Sequence, residues 1–378
     1  MNQTIWISIL MRYQKRTFMA KHKSIKDILW NVDERTYRED PSYHYSLLSD
    51  FRTVGIHRTS ELFDKTETKK PSKSLIFGSL VDAMLTDPDK LSGFQNVGSA
   101  KDAIKLTPTE KKVAEFIISY KDAYSLDEVI NDSDLFYNAF VCCDAYSTST
   151  KEKVLEKHGA AIIEYVKQKL SSISDKMQIT EEDYVDAVEC KEAIMTSAMR
   201  EYFEEMPFDD DIERVFQAKI KWRDNQTDIN YRVMLDTLYV NHTKKIIIPN
   251  DLKTTSDHED EFYRNFIKRN YDIQARLYWR GLYELVMKDD YFKQFKVLPF
   301  QFLVVSRYSK TPLIWRYDDC CKSGQLVYLK KDNTKIILED PYVLGKLLRD
   351  CEEHKNLIRP GLTTLGSNSL EHWIENGD

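Results

Sequence analysis

The chain has 378 residues, of which 42% are apolar and 12% aromatic, with only 11 glycines and 10 prolines. This composition indicates a globular protein of one or two domains and excludes an intrinsically disordered chain. The formal net charge is −6, so the chain as a whole is not a basic nucleic-acid binder. Any contact with nucleic acid requires a local positive surface.

The six cysteines form two adjacent pairs and two singles, which matches no zinc or iron–sulfur spacing and predicts reduced thiols in a cytoplasmic protein. No run approaches the ~18 apolar residues of a membrane span. Residues 1–26 are basic and contain no acid. The segment MAKHKSIKDI, which begins at Met19, resembles a natural N-terminal sequence. We expect residues 1–18 to be a disordered or non-native extension.

The sequence pattern of the first half of the chain predicts helices. Residues 24–63 are mostly helical with a short helix at 46–54, residues 64–73 form a polar loop, and residues 75–85 form an apolar helix. Residues 100–206 are predicted to be helical throughout. The segment Thr107-Pro108-Thr109-Glu110 is a capping box, and Thr180 followed by three acids marks a second helix start.

The pattern changes at about Ile212. Five later segments are rich in Val, Ile, Phe and Tyr and predict strands, namely 213–222, 231–240, 245–254, 300–306 and 313–317. Residues 262–286 between them predict one long helix.

A predicted hairpin over residues 231–255 carries Asp236 on its first strand and both Asp251 and Lys253 on its second. Because side chains alternate along a strand, Asp251 and Lys253 share a face and Leu252 points the other way. Two carboxylates and a lysine at a strand end can hold a hard cation, a water and a phosphate. That combination predicts metal-dependent phosphodiester hydrolysis.

The acid-x-lysine pattern alone is weak, because it recurs at Glu67, Glu110 and Glu189. The Asp251 instance differs, since it follows three isoleucines and Pro249, which interrupts the ladder of a buried strand. An exposed salt bridge between Asp251 and Lys253 is the alternative.

The pattern LD…PNDLKT resembles the signature of PD-(D/E)xK nucleases, in the arrangement of the RecB and RecE (exonuclease VIII) branch. Residues 271–278 resemble its Q-x-x-x-Y helix, with Gln274 and Tyr278 one turn apart. Residues 299–317 resemble the two strands that follow, residues 74–89 its first helix, and HYSLLSDF a segment that precedes that helix in RecE-like phage proteins. The resemblance spans about 43 to 317, with the motifs in the family's order.

The resemblance implies an α/β fold with a restriction-endonuclease-like core, in which helices flank a central mixed sheet. We expect a basic, helical N-terminal arm over 1–73 and a nuclease core over 74–320. Residues 86–206 would be a large helical insertion in that core, and residues 321–378 a helical tail.

The first helix departs from the family, which has G-x-x-x-H there. This chain has Gly78 and, at the histidine position, Asp82. The two share a helix face, and Gly78 lets a backbone or phosphate approach closely. Asp82 has apolar neighbours, where an unpaired carboxylate is costly, so we expect its carboxylate to contact a cation, an arginine or solvent. With Asp82 as a ligand the site has three carboxylates, which favours Mg²⁺ or Mn²⁺ over zinc.

By resemblance, one or two ions are held by Asp236, Asp251 and the Leu252 carbonyl, with Asp82 as a further ligand. Lys253 orients the attacking water and offsets charge on the phosphate; a role as general base is disfavoured because nearby carboxylates raise its pKa. Gln274 and Tyr278 line the cleft, unless they merely pack the helix. Weaker candidates are the phosphate contacts Gly78, Arg232, Arg264 and Lys268, and the acid Glu213.

The expected function is a RecE-like exonuclease that acts on duplex DNA with a free end, in phage or prophage recombination or DNA processing. Exonuclease action is preferred over endonuclease action. Two alternatives stay open: a nuclease subunit active only within a larger recombination or helicase complex, and a catalytically inactive nucleic-acid-binding relative. Partners would be DNA, a single-strand annealing or helicase protein, or further copies of the chain, in the cytoplasm and without a membrane.

Overall fold

The computed structural model describes residues 22–54, 71–97, 105–119, 128–129, 132–171, 176–206 and 211–353. The expectation for residues 1–18 and most of the predicted loop at 64–73 lie outside these residues. Within them, no helix combines the length and the apolar character needed to cross a membrane.

The helices and strands are numbered in chain order. The helices are α1 (Glu34–Glu39), α2 (Tyr45–Val54), α3 (Lys73–Thr86), α4 (Pro108–Ser119), α5 (Ser133–Cys142), α6 (Lys151–Val154), α7 (Ala160–Ser171), α8 (Glu181–Met195), α9 (Phe262–Lys268), α10 (Tyr271–Met287) and α11 (Pro341–Glu353). The strands are β1 (Phe94–Asn96), β2 (Met177–Ile179), β3 (Ile212–Asp224), β4 (Ile229–Asn241), β5 (Ile246–Thr255), β6 (Lys296–Val297), β7 (Phe300–Ser306), β8 (Pro312–Tyr317), β9 (Leu326–Leu329) and β10 (Lys335–Leu338).

The chain divides into two compact units. Residues 71–192 form one unit, and residues 1–70 together with 193–378 form the other. This division differs from the expected one in two ways. The N-terminal segment belongs with the sheet rather than to a separate arm, and α3 belongs with the inserted helices rather than with the sheet.

The smaller unit is mainly helical. Its apolar core is formed by α4, α5 and α7. The predicted capping box is confirmed, because the Thr107 backbone N–H donates to the Glu110 carboxylate and the Glu110 N–H donates to the Thr107 hydroxyl. The expectation of helices throughout is wrong at one point, since β1 and β2 pair as a short parallel ladder.

The larger unit contains a mixed sheet in the order β3-β4-β5-β7-β8, with β6 also beside β5. The β5–β7 and β5–β6 pairs are parallel and the other pairs are antiparallel. All five predicted strands are confirmed. The main core lies between one face of this sheet and α10, so the described architecture is a central mixed sheet flanked by helices.

Two local features differ from the sequence predictions. The predicted helix over 262–286 is divided into α9 and α10, because Asn270 between them adopts a left-handed conformation with φ of 55°. The expected helical tail contains the β9–β10 hairpin before α11; its strands, LVYL and KIIL, carry valine, tyrosine and two isoleucines, which favour strands.

The N-terminal segment presents a titratable group at the start of α2. The imidazole Nδ1 of His44 accepts the Leu47 backbone N–H at 3.4 Å, which requires an unprotonated nitrogen. Burial, followed by the charge of Arg232, lowers the pKa of His44 from 6.5 to about 4. The folded protein therefore holds His44 neutral over a range in which the unfolded chain binds a proton.

We expect the stability that His44 contributes to be complete above pH 6.5 and to be lost as the pH falls toward 4. The variant His44→Asn keeps a capping oxygen but cannot titrate. Urea denaturation gives the free energy of unfolding at pH 7 and at pH 5. Between these two pH values the variant should lose about 1–2 kcal/mol less of that free energy than the wild type. Equal losses in the two proteins would contradict this assignment.

Candidate functional site

A fork opens between two strands at the centre of the sheet. β4 and β5 pair from Asn241↔Ile246 as far as Thr237↔Asn250 and no further, whereas β5 continues beside β7 to Thr255. Beyond the fork, the free edge of β4 is covered by the N-terminal segment, because Tyr43 bonds through its backbone to Asn230 and Arg232 at 2.8 and 2.9 Å. The fork is therefore lined by two strands and by residues that lie almost 200 positions earlier in the chain.

Asp236 lies where the fork opens, at an irregularity in β4. Before Asp236 the odd-numbered residues Val233 and Leu235 belong to the main core, and after it the even-numbered Leu238 and Val240 do. The alternation of core-facing side chains along β4 therefore changes phase at Asp236. In register with it on β3, between the pairs Phe216↔Thr237 and Ala218↔Leu235, Gln217 has the left-handed φ of 52°. The Asp236 carboxylate Oδ2 accepts the Leu252 N–H at 2.9 Å and bridges the two diverging strands.

Asp251 and Lys253 form a largely buried ion pair on β5. The distance from Asp251 Oδ2 to Lys253 Nζ is 2.5 Å; Asp251 is only 2% exposed, and the Lys253 side chain is 18% exposed. Gln274 on α10 donates from Nε2 to the other carboxylate oxygen, also at 2.5 Å. The ion pair that was considered as an exposed alternative is thus present, but it is largely buried and lies under a helix.

The charges in the fork set the protonation states. Burial lowers the pKa of Lys253, but the carboxylates of Asp251 and Asp236 raise it more, so that its pKa lies above the ordinary range. The lysine is protonated at neutral pH, which agrees with an orienting and charge-offsetting role rather than that of a base. Burial raises the pKa of Tyr278 well above its ordinary value, so its phenol stays neutral.

Gln274 Oε1 is buried beside the ion pair and has no hydrogen-bond partner among the described residues, and the same holds for Asn250 Oδ1 and Thr237 Oγ1 at the last β4–β5 pair. Asp251 Oδ2 has its ion pair with Lys253. Together with Asp236, Asp251 and Gln274 supply carboxylate and amide oxygens, which are the donors that Mg²⁺ and Mn²⁺ prefer. No group of three His, Cys, Asp or Glu side chains in the described part of the chain is arranged to hold a metal ion.

Gly78 and Asp82 lie on α3 in the smaller unit. Asp82 is half-buried, and the Thr86 hydroxyl donates to its Oδ1 at 3.3 Å. Their predicted contributions to metal and phosphate binding stay predictions.

The weaker candidates lie outside the fork or have other contacts. Arg232 is buried, packs over Tyr37 at 4.7 Å from the ring centroid, and donates to the Ser42 and Arg38 carbonyls at 3.3 Å. The Arg232 guanidinium thus contacts the N-terminal segment, and its predicted phosphate contact stays a prediction. Glu213 has a similar anchoring role, since it accepts hydrogen bonds from the Ser24 hydroxyl and the Ile25 N–H.

Arg264 and Lys268 are both exposed on α9. The Arg264 guanidinium pairs with Glu261 at 2.8 Å. Their phosphate contacts stay predictions.

Two tyrosines of the fork were not singled out from the sequence. The Tyr271 ring centroid lies 4.7 Å from Lys253 Nζ, and the Tyr45 hydroxyl donates to the Arg269 carbonyl at 2.6 Å. The Tyr45 ring centroid lies 6.5 Å from that of Tyr271, and burial raises the pKa of Tyr45 above its ordinary value. Both tyrosines occur in segments that carry the family resemblance, and this position is the sequence signal by which they could have been found.

Comparison with known proteins gives little further information. No protein-family profile matches the chain, and no curated protein matches it. A crystal structure from Eubacterium rectale, described as a "putative exonuclease", is similar at a TM-score of 0.26 and 15% identity, over 68% of this chain and 86% of that one. Similarity at that level says nothing further about this chain.

Proposed function

We propose that this protein is a divalent-metal-dependent DNA nuclease, and that it acts as a RecE-like exonuclease on duplex DNA with a free end. The supporting observation is the fork, where Asp236, Asp251, Lys253 and Gln274 meet from two strands and a helix. Residues as far apart as 236 and 274 converge there around a largely buried ion pair. Burying the Asp251 carboxylate has a desolvation cost that an ion pair serving only stability rarely repays.

In this proposal Asp236, Asp251 and the Leu252 carbonyl would hold one or two Mg²⁺ or Mn²⁺ ions. A bound ion supplies charge neutralisation at the phosphate and activation of a water. The Lys253 ammonium offsets the negative charge that develops on the phosphate. Gln274 fixes Asp251 through its NH₂ group and leaves Oε1 to orient a water.

Tyr278 contributes a neutral hydroxyl that can donate to a phosphate oxygen. Because the chain carries a net charge of −6, the DNA path is expected to be a local basic lining, with Arg264 and Lys268 as candidates. Gly78 is a candidate for close approach of the phosphate backbone. The cellular role would be recombination or DNA processing in a bacterial or phage-infected cytoplasm, with an annealing or helicase protein or further copies of the chain as partners.

The proposal is tested by incubating the purified protein with linear and with closed circular duplex DNA. We expect degradation of linear DNA in Mg²⁺ or Mn²⁺, none in EDTA, and survival of the circular form. Cutting of the circle would indicate an endonuclease instead. Activity that appears only after a helicase or annealing protein is added would support the complex-dependent alternative.

A second candidate is an inactive DNA-binding relative. The aspartate at the family's histidine position favours it, as does Lys253, whose ammonium pairs with Asp251 at 2.5 Å. Titration calorimetry with Mn²⁺ separates the two: heat of binding that is absent in an Asp251→Asn variant supports the nuclease. DNA binding without any such heat supports the inactive relative.

A further inference from the structure

The Lys253 ammonium has a second neighbour besides Asp251. The ring centroid of Tyr271 lies 4.7 Å from Nζ and that of Phe302 lies 6.0 Å away. A cation over an aromatic ring face is attracted by the ring quadrupole, and the attraction is strongest at sites shielded from water. The lysine head is therefore held between a carboxylate and an aromatic face.

The Tyr271 ring is itself held in place by other rings. It stacks on Phe302 at a centroid distance of 5.4 Å and on Phe262 at 5.8 Å, and it lies at a tilt against Tyr45 at 6.5 Å. Contacts from one strand and two other helices thus fix its orientation. A lysine on four flexible methylenes has no such fixation of its own.

The backbone position of Tyr271 is set by the N-terminal segment. Tyr271 is the first residue of α10 and follows the left-handed Asn270. The Asn270 side chain donates from Nδ2 to the Ser49 hydroxyl at 3.1 Å and to the Thr53 hydroxyl at 3.3 Å. The residue between the two helices is therefore tied to α2.

We propose that Tyr271 is a positioning residue that keeps the Lys253 ammonium beside Asp251 and directed into the fork. This inference rests on the nuclease function proposed above. The attraction requires an aromatic face and not the hydroxyl. Hence Tyr271→Phe should preserve it, whereas Tyr271→Leu should fill similar space without holding the cation.

The first measurement needs no activity. In protein labelled with ¹³C at lysine Cε, a ring face over the ammonium should shift the Lys253 signal upfield, and Lys253→Met identifies that signal by its loss. We expect the shifted signal to persist in Tyr271→Phe. In Tyr271→Leu it should move most of the way to the ordinary lysine position, because the more distant Phe302 ring, 6.0 Å from Nζ, remains. Tyr283→Leu is the matched control, because Tyr283 lies on the same helix, 40% exposed, and stacks on Trp279.

The second measurement is nuclease kinetics on linear DNA. Because a buried cation–π contact is modest in strength, Tyr271→Leu should lower kcat about tenfold with little change in KM. Tyr271→Phe and Tyr283→Leu should remain near the wild type. If Tyr271→Leu does not fold, Tyr271→Met replaces it in both measurements.

A Lys253 signal that stays as far shifted in the non-aromatic variant as in the wild type would overturn the inference, as would equal losses of kcat in the Phe and Leu variants. These outcomes differ from a failure of the proposed function. A wild-type protein without nuclease activity would refute the proposed function. The lysine spectrum would still show whether Tyr271 holds the Lys253 ammonium.

Discussion

Lys253→Met is expected to lower Mg²⁺-dependent hydrolysis of linear DNA at least about 100-fold, by analogy with the loss of other preorganised charge-stabilising groups. Methionine is close to lysine in length and can occupy the same channel beside Tyr271. The variant therefore removes the charge with little change in packing. Product formation on end-labelled duplex DNA, measured at saturating Mg²⁺, checks the prediction.

Lys253→Met should also reveal metal binding through the melting temperature of the protein. It leaves Asp251 buried without its cation, and removal of one partner of a buried pair costs about 3–5 kcal/mol. Added Mg²⁺ can take the place of the ammonium, so it should raise the melting temperature of the variant more than that of the wild type. Lys244→Met is the matched control, because Lys244 is exposed in the turn that follows β4. Full activity in Lys253→Met would remove the basis of the nuclease proposal.

Gly281→Ala is expected to give the largest loss of stability among single-methyl substitutions in α10. An added Cβ would lie 2.4 Å from Cζ3 and 2.7 Å from Cη2 of Trp222. That indole cannot move aside easily, because it is buried and its N–H donates to the Tyr342 hydroxyl at 2.9 Å. Overpacking of this kind costs about 1–3 kcal/mol. Chemical denaturation measures the loss.

Activity should fall along with stability in Gly281→Ala. Gln274 lies about two turns before Gly281, so a helix pushed away from β3 carries Gln274 away from Asp251. Gly93→Ala is the control, since a Cβ added at Gly93 would meet no atom within 4 Å. Equal denaturation midpoints for the two variants would show that α10 does not depend on this close approach.

The strands and the candidate catalytic residues could be predicted from the sequence because both have local signals. Runs of β-branched and aromatic residues marked β3, β4, β5, β7 and β8, and the alternation on β5 placed Asp251 and Lys253 on one face. The burial of that pair could not be predicted from the same pattern. It depends on α10, whose Gln274 lies 23 residues further along the chain.

The remaining features lacked a local signal. The phase change at Asp236 coincides with the left-handed conformation of Gln217 on the neighbouring strand, and the left-handed Asn270 at the helix break is held by Ser49 and Thr53 of α2. The role of Arg232 depends on carbonyls of the N-terminal segment. Each is a tertiary effect that overrides local pattern.

The attachment of α2 to α10 also determines when the fork can form during synthesis. Arg52 pairs with the buried Asp272 across 220 residues, and Asn270 reaches Ser49 across 221. Contacts of such long range form slowly, because a large loop must close before they contribute. A nascent chain thus displays α2 long before α10 has left the ribosome, and the protein acquires a complete fork only late in its own translation.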